Sequence, residues 1–303
     1  MGGSVTQAAG ALRFDGRTVV VTGAGSGLGR AYALEFAQRG ANVLVNDPGV
    51  AADGTRSAIA VADSITVRGG RAVANTDSVL DGGHIIAAAM DAFGSVDVLI
   101  NNAGIIRDRS FGKMTEDDWR AVNDVHLTGA WRITRAAWPH MTGRQFGRIL
   151  FIASAAGLYG NFGQANYAAA KLGLVGMMRT LAREGAAKNL LSNAVAPLAA
   201  TPFTSGVMPA ELAAKLQPGQ VVPLLVVLAH EDCRENGALF EAGGGWFAGL
   251  RWQRSRGLRF DAGDALTAEA VLARWGEVTG FDTDADYPQA VEDSLRRALG
   301  ARA

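Results

Sequence analysis

Residues Thr18–Gly29 read TVVVTGAGSGLG, and the helical stretch Arg30–Gln38 follows directly. The run Thr18–Thr22 is rich in β-branched side chains, which fit the pleated surface of a strand. Glycines then interrupt it. A strand, a glycine loop and a helix in that order form the context that a phosphate-binding loop requires. Gly23 permits a tight turn, Gly27 lets the backbone approach a pyrophosphate, and Gly29 allows the helix to pack closely. The free N–H groups at the helix start carry a partial positive charge toward the phosphates. This stretch therefore predicts dinucleotide binding at the end of the first strand.

Similar apolar runs follow at Asn42–Val45, Arg71–Ala74, Val96–Ile100 and Arg148–Ile152, with weaker ones at Leu191–Ala196 and Ala238–Phe240. Continuous apolar strands belong to a sheet buried on both faces, hence parallel with helices on each side. The expected fold is α/β, a Rossmann-type doubly wound sheet of about seven strands with ligands at their carboxyl ends. Residues 1–13 read as a loose Gly- and Ala-rich tail without the regions of a signal peptide. Residues 14–249 form one catalytic domain, and 250–303 a C-terminal helical extension packed on it. That extension opens with crowded arginines (251, 254, 256 and 259), continues in a helix over Ala268–Trp275 with Thr267 as N-cap, and carries a solvated acidic loop, Asp282–Asp286.

Across 303 residues, 49% are hydrophobic, enough for a substantial core. Lys+Arg and Asp+Glu are both 29, so nothing points to a nucleic-acid partner. No run approaches the length of uninterrupted apolar residues needed for a membrane span. The one cysteine, Cys233, leaves no intramolecular disulfide and disfavours a Cys-based metal site. His84, His140 and His230 lack metal-ligand spacing and read as surface or structural. No metal is expected, and the chain reads as cytoplasmic.

The chemistry concentrates in Ser154–Lys171, SAAGLYGNFGQANYAAAK. If the chain is helical from about Ala165, Tyr167 and Lys171 stack one turn apart. A phenol titrates near 10, and a neighbouring ammonium favours its phenolate. Ser154 could donate to a substrate oxygen. Together these groups could move a proton on or off an alcohol while a hydride transfers. Asp47, ending the second strand, could accept from the adenosine ribose hydroxyls and would repel a 2′-phosphate, favouring NAD; alternatively it only opens the turn Asp47-Pro48-Gly49. Asp77, with Ser78 beside it, could reach the adenine amino group or cap the next helix. Asn101-Asn102-Ala103-Gly104, after the fourth strand, could border the cofactor without blocking it. Leu172, Leu174, Val175, Met177 and Met178 exceed what one packed helix face needs, suggesting a subunit contact or a helix buried within the monomer. Arg107 and Arg109 could meet phosphates, or form a solvated face.

TGAGSGLG, NNAG, Ser154, and Tyr167 with Lys171, in this order, resemble the short-chain dehydrogenase/reductase family from about Phe14 to Gly249. NNAGIIRDRSF, VHLTG, TRAAWPHM, GLYGNFGQANYAAAKLGL and ENGALFEAGGGW are similar to its (3R)-hydroxyacyl-CoA dehydrogenase branch, found in peroxisomal multifunctional enzymes of type 2 and also counted among hydroxysteroid dehydrogenases. Here the domain would stand without a fused hydratase module. The resemblance implies Tyr167 as general acid/base, Ser154 as substrate-oxygen anchor, and Lys171 as ribose ligand lowering the Tyr167 pKa. It implies Gly23, Ser26, Leu28, Asp47, Asp77, Asn101 and Gly104 as cofactor lining, with Ala103 and Ser78 adjoining them. The expected substrate is an acyl-CoA or steroid alcohol or ketone, and the expected assembly a homodimer or homotetramer. Two departures stand out. His126 takes the place of the Asn usual in V-N-L-x-G, and could relay a proton or only shape its helix. Leu198 follows Pro197 where glycine is frequent, so the loop over the nicotinamide is altered, with Thr201 as candidate contact to its carboxamide.

Overall fold

The protein is described here by a computed structural model that covers residues 10–50, 54–201, 209–261, 263–281 and 285–298. The tail expected at 1–13 thus falls largely outside the described residues. Eight strands form one sheet: β1 (Thr18–Thr22), β2 (Asn42–Asn46), β3 (Arg71–Asn75), β4 (Val98–Asn101), β5 (Gly147–Ile152), β6 (Leu190–Pro197), β7 (Leu239–Gly243) and β8 (Trp246–Leu250). Their order is β3-β2-β1-β4-β5-β6-β7-β8, and every pairing from β3 to β7 is parallel. The doubly wound expectation holds. The eighth strand is an addition to the seven read from the sequence. It returns from β7 across the tight turn Gly244-Gly245, and although WFAGL is apolar throughout, the strand lies at the sheet edge with Trp246, Phe247 and Gly249 exposed.

The helices are α1 (Gly27–Gln38), α2 (Ser57–Val67), α3 (Gly82–Phe93), α4 (Glu116–Asn123), α5 (Gly129–Arg144), α6 (Ala155–Tyr159), α7 (Ala165–Gly185), α8 (Ala210–Lys215), α9 (Val222–Ala229), α10 (Ala268–Ala273), α11 (Trp275–Thr279) and α12 (Val291–Ala298). Side chains alternate across each strand. Val19, Val21, Val43, Val45, Val98 and Ile100 join a core with Phe36 of α1, Ile65 of α2 and Leu225 of α9. The alternate residues Val20, Leu44, Leu99 and Phe151 are buried too, on the side where α3, α5 and α7 lie against the sheet. Each such side chain contributes on the order of 1.5–3 kcal/mol of burial.

The helix carrying Tyr167 and Lys171 begins at Ala165, as expected. Its apolar surplus is mostly spent within the protomer: Leu174, Val175 and Met178 are buried, while Leu172 is exposed. The stretch Ala210–Ala229 has the length and composition to cross a bilayer. It is broken, however, into α8, a tight 3-10 turn at Pro218–Gln220 and α9, and α9 packs on α1 and β5.

Two compact units are present, Met1–Gly249 and Leu250–Ala303. In the second, Thr267 caps α10 by accepting the Ala270 N–H at 3.2 Å. The helix expected through Trp275 stops at Ala273 and resumes as α11. The acidic loop Asp282–Asp286 lies partly outside the described residues. Its last member pairs with Arg254 at 2.8 Å and is not merely solvated.

At the amino end of the sheet, the buried Asp97 accepts from the Thr18 N–H at 2.9 Å and from Ser95 Oγ at 3.0 Å, with Arg17 at 3.3 Å and Arg144 at 3.6 Å. Asp97→Ala would leave a buried N–H and two guanidinium groups without their acceptor. We expect a loss of about 2–4 kcal/mol, read as a lower urea midpoint at unchanged slope.

Candidate functional site

The strand order reverses between β1 and β4, so their following loops diverge and open a crevice. Four bonds hold its floor. Thr22 Oγ1 accepts the N–H groups of Asn102 and Ala103, both at 3.0 Å, and Asn102 Nδ2 donates to the carbonyls of Thr22 and Gly23 at 2.8 and 3.1 Å. A side chain at Gly23, where φ is +63°, would meet the Ala103 backbone at 2.7 Å. Close approach of the two loops thus requires glycine.

This crevice has a volume of 390 Å³. Lining it are Gly23, Ser26, Gly27, Leu28, Gly29, Asp47, Gly104, His126, Ser154, Tyr167, Lys171 and Thr201 from the expected set. Asn102, from the segment expected to border the cofactor, lines it as well, and Asp108, Asn161 and Gln164 are additions that sequence reasoning did not assign to the site. The start of α1 suits a dinucleotide. Its N-cap Ser26 makes no side-chain cap bond and no acidic residue stands in the first turn, so the terminal N–H groups are open to phosphate. Of the two roles weighed for Asp47, the turn is the one on view. Its carboxylate accepts the Gly25 N–H at 2.9 Å, bracing the glycine loop, and the Gly49 N–H at 2.7 Å, opening its own turn, while still lining the cleft.

Four expected residues do not reach the cleft. Asp77 accepts from Asn75 Nδ2 at 2.8 Å, inside an amide network with Asn46. Ser78, not Asp77, caps the next turn, accepting the Leu80 N–H at 3.2 Å. Asn101 is buried behind the wall and donates to Thr134 Oγ1 at 3.1 Å. Ala103 contributes backbone only, through Thr22. Strand alternation sends adjacent residues to opposite sides, and it is Asn102 that faces the cleft. Arg107 and Arg109 pair with Asp118 at 3.9 and 3.6 Å.

Ser154 caps α6, its Oγ accepting the Ala156 N–H at 3.2 Å. Lys171 is buried, and its Nζ donates to the Ile152 carbonyl at 2.6 Å and stands 5.5 Å from the centre of the Tyr167 ring. Burial lowers the Lys171 pKa to about 7. Burial also raises the Tyr167 phenol, against a lowering bond from Ser154, with the Asp108 charge adding to the rise. The expected depression of the phenol by Lys171 is therefore not seen: burial dominates, and the lowering influence comes from Ser154.

His126 sits on a π-turn, Asp124–Thr128, between α4 and α5. Such turns displace one residue outward and mark functional positions. Its Nε2 lies 2.8 Å from the Ile105 carbonyl and 3.0 Å from the Ile105 N–H, so one tautomer donates and the other accepts. Its ring meets the Tyr167 ring edge to face at 5.1 Å. A side chain on Gly104 would collide with it. Burial, with Lys171 nearby, drops the imidazole to about 3, so it is neutral at working pH. Of the two roles weighed, this geometry favours a neutral His bonded to backbone.

The chain matches the short chain dehydrogenase family over residues 17–211. Peroxisomal multifunctional enzyme A of Dictyostelium discoideum is 49% identical over 295 residues, covering 96% of this chain and 66% of the relative. The full-length peroxisomal multifunctional enzyme type 2 of Drosophila melanogaster superposes with a TM-score of 0.82 at 42% identity, over 95% of this chain and 49% of that one. A short chain dehydrogenase from Mycobacterium avium gives 0.77 at 38% identity, over 88% and 95%. The chain spans from 32% to 66% of the length of the first curated relatives it matches. The reading of a cytoplasmic protein is corrected by these relatives, several of which are named as peroxisomal. A single cysteine rules out an intramolecular disulfide and does not identify a compartment.

The Lys171 amine gives the site a pH signature. Its folded pKa of about 7 lies below the unfolded value near 10.4, so between these values the unfolded chain binds the extra proton. Stability of the ligand-free protein should rise from pH 7 to 9.5 and level off below 7. Lys171→Met should flatten that rise, as read from urea midpoints across the range.

Proposed function

The chain belongs to the short-chain dehydrogenase/reductase family, and from that premise we propose that it interconverts a (3R)-hydroxyacyl-CoA and its 3-oxo form with NAD. The observation that carries this reading is the convergence of Ser154, Tyr167 and Lys171 with the glycine loop in one cleft. The likeness to peroxisomal multifunctional enzymes supports the acyl-CoA substrate. The family works with nicotinamide dinucleotides. Preference for NAD is supported by Asp47 in the cleft, whose carboxylate would repel a 2′-phosphate, and by the absence of arginine among the described lining residues.

Tyr167 is the proton carrier. A phenol raised by burial is a competent acid at neutral pH and can give its proton to the oxygen of a ketone under reduction. In the reverse sense it must act as a base, which requires help. Bound NAD would supply the hydride acceptor and the positive charge of its oxidised ring. Ser154 holds the substrate oxygen next to Tyr167, and Lys171, fixed by Ile152, is placed for the ribose hydroxyls and for the phenol edge. His126 sets the height of the Tyr167 ring and the path of the Ile105 backbone. Holding both reactants in register supplies much of the rate. Self-association through α7 belongs to the same proposal, on the narrower basis of the exposed Leu172.

Purified protein with NAD and a (3R)-hydroxyacyl-CoA should produce NADH absorbance at 340 nm, a general property of the reduced cofactor. Tyr167→Phe removes one hydroxyl and should cut kcat about 10²–10⁴-fold while the dinucleotide still binds. Turnover of a steroid alcohol with none of the acyl-CoA would replace the substrate assignment. Dinucleotide binding with no turnover of either would leave a non-catalytic subunit.

A further inference from the structure

The wall that follows β4 carries Arg107, Asp108 and Arg109, outside any helix or strand. It is fixed on both sides of Asp108: Asn166 Nδ2 donates to the Arg107 carbonyl at 3.1 Å, and the Arg109 N–H donates to the Gly163 carbonyl at 2.8 Å. The two arginines reach Asp118, and the carboxylate between them lines the cleft. There Gln164 Nε2 donates to Asp108 Oδ2 at 2.8 Å, and Gln164 Oε1 accepts from Asn161 Nδ2 at 2.9 Å. Gln164 caps α7, whose first turn holds Tyr167. The Asp108 charge thus stands at the reacting end of the cleft, held by a neutral amide and, among the described residues, paired with no cation.

We propose that Asp108 is a specificity residue that keeps free carboxylates away from the reacting carbon, so that the site accepts esters and thioesters of 3-hydroxy acids and discriminates against the free acids. This rests on the alcohol dehydrogenase reading above. A free 3-hydroxy acid would place its own carboxylate two bonds from the reacting carbon, beside Asp108. Arginine is over-represented where a carboxylate is bound, and none lines this cleft among the described residues. Among the described lining residues the charged groups are Asp47, Asp108 and Lys171, and the Lys171 amine is held on the Ile152 carbonyl. Esterification removes the repelled charge. The CoA phosphates lie a pantetheine arm away, beyond a screening length of about 8–10 Å. Asp108 is exposed while the cleft is open, and its field strengthens once reactants displace water.

The same charge acts on the proton carrier. The groups facing Tyr167 are the Ser154 hydroxyl, the His126 ring, the Lys171 amine and the Asp108 carboxylate. Of these, Asp108 favours the neutral phenol.

The test compares NAD-dependent oxidation of (R)-3-hydroxybutyrate with that of its neutral methyl ester and its CoA thioester, in the full chain and in Asp108→Asn. Asparagine keeps an oxygen for Gln164 and removes only the charge. The ratio of kcat/KM for acid over ester should rise on the order of 10- to 100-fold in Asp108→Asn, and Asp108→Glu should keep the ratio low. The pH at which ester oxidation reaches half its maximum should move lower in Asp108→Asn, which a merely structural role would not produce. In the unsubstituted protein, where no folding defect intervenes, the acid-over-ester ratio should climb as salt is raised from low to about 0.5 M. A ratio indifferent to both charge removal and salt, with ester and thioester turned over, overturns the role of Asp108 alone. No turnover of any of the three overturns it together with the reading beneath it.

Discussion

The clamp between Thr22 and Asn102 is the constraint on which the rest of the molecule turns. One hydroxyl receives two backbone N–H groups from the β4 loop, and one amide returns two bonds to the β1 loop. Parallel strands that diverge at a switch point leave their terminal backbone groups unpaired, and unpaired buried groups are costly. Here the two ends satisfy one another. The same four bonds therefore close the sheet and set the spacing between the glycine loop and the wall at Gly104. That spacing is the width of the cleft. Asp47 extends the arrangement outward by bracing Gly25, so three strand ends are tied to one loop.

The electrostatics of the cleft follow from depth more than from pairing. Lys171 is fully enclosed with one carbonyl for company, and the loss of water lowers its proton affinity. Tyr167 loses water too, and its phenol moves the opposite way. An ammonium that is easily neutralised makes a weak partner for a phenolate. The base strength needed for alcohol oxidation is therefore a property of the filled site, to which a cationic ring must contribute. His126 completes the picture as an uncharged ring, bonded to Ile105 and leaning on Tyr167. It constrains geometry without adding charge.

Local chemistry made much of this legible in advance. β-branched runs mark the buried strands, the glycine loop marks the first crossover, and the spacing of Tyr167 and Lys171 places both on one face of α7. What escaped depends on which way a residue faces or on contacts far along the chain. Asn101 and Asn102 are the same residue type in adjacent places, and only strand register decides that the second meets the cleft while the first meets Thr134. Asp77 is drawn aside by Asn46 and Asn75, from two other strands. The apolar surplus of α7 is covered mainly within the protomer, which no reading of one helix can reveal. The strand Trp246–Leu250 escapes because it is a short edge element directly after three glycines, with most of its residues exposed despite their apolar character.

The tripeptide Arg107-Asp108-Arg109 shows the same rule acting on charge. Summed along the chain, it is basic and suggests a phosphate contact. In the fold, its contacts split it into two faces. The guanidinium groups turn to Asp118, which is already bonded to Thr115 in the capping box of α4 and so presents a fixed negative target. The lone carboxylate is left on the other face, beside the substrate. The wall is positive behind and negative in front, although its sequence reads as a net cation. Side-chain direction, set by a few backbone bonds to Asn166 and Gly163, thus decides the sign of the field that a substrate meets.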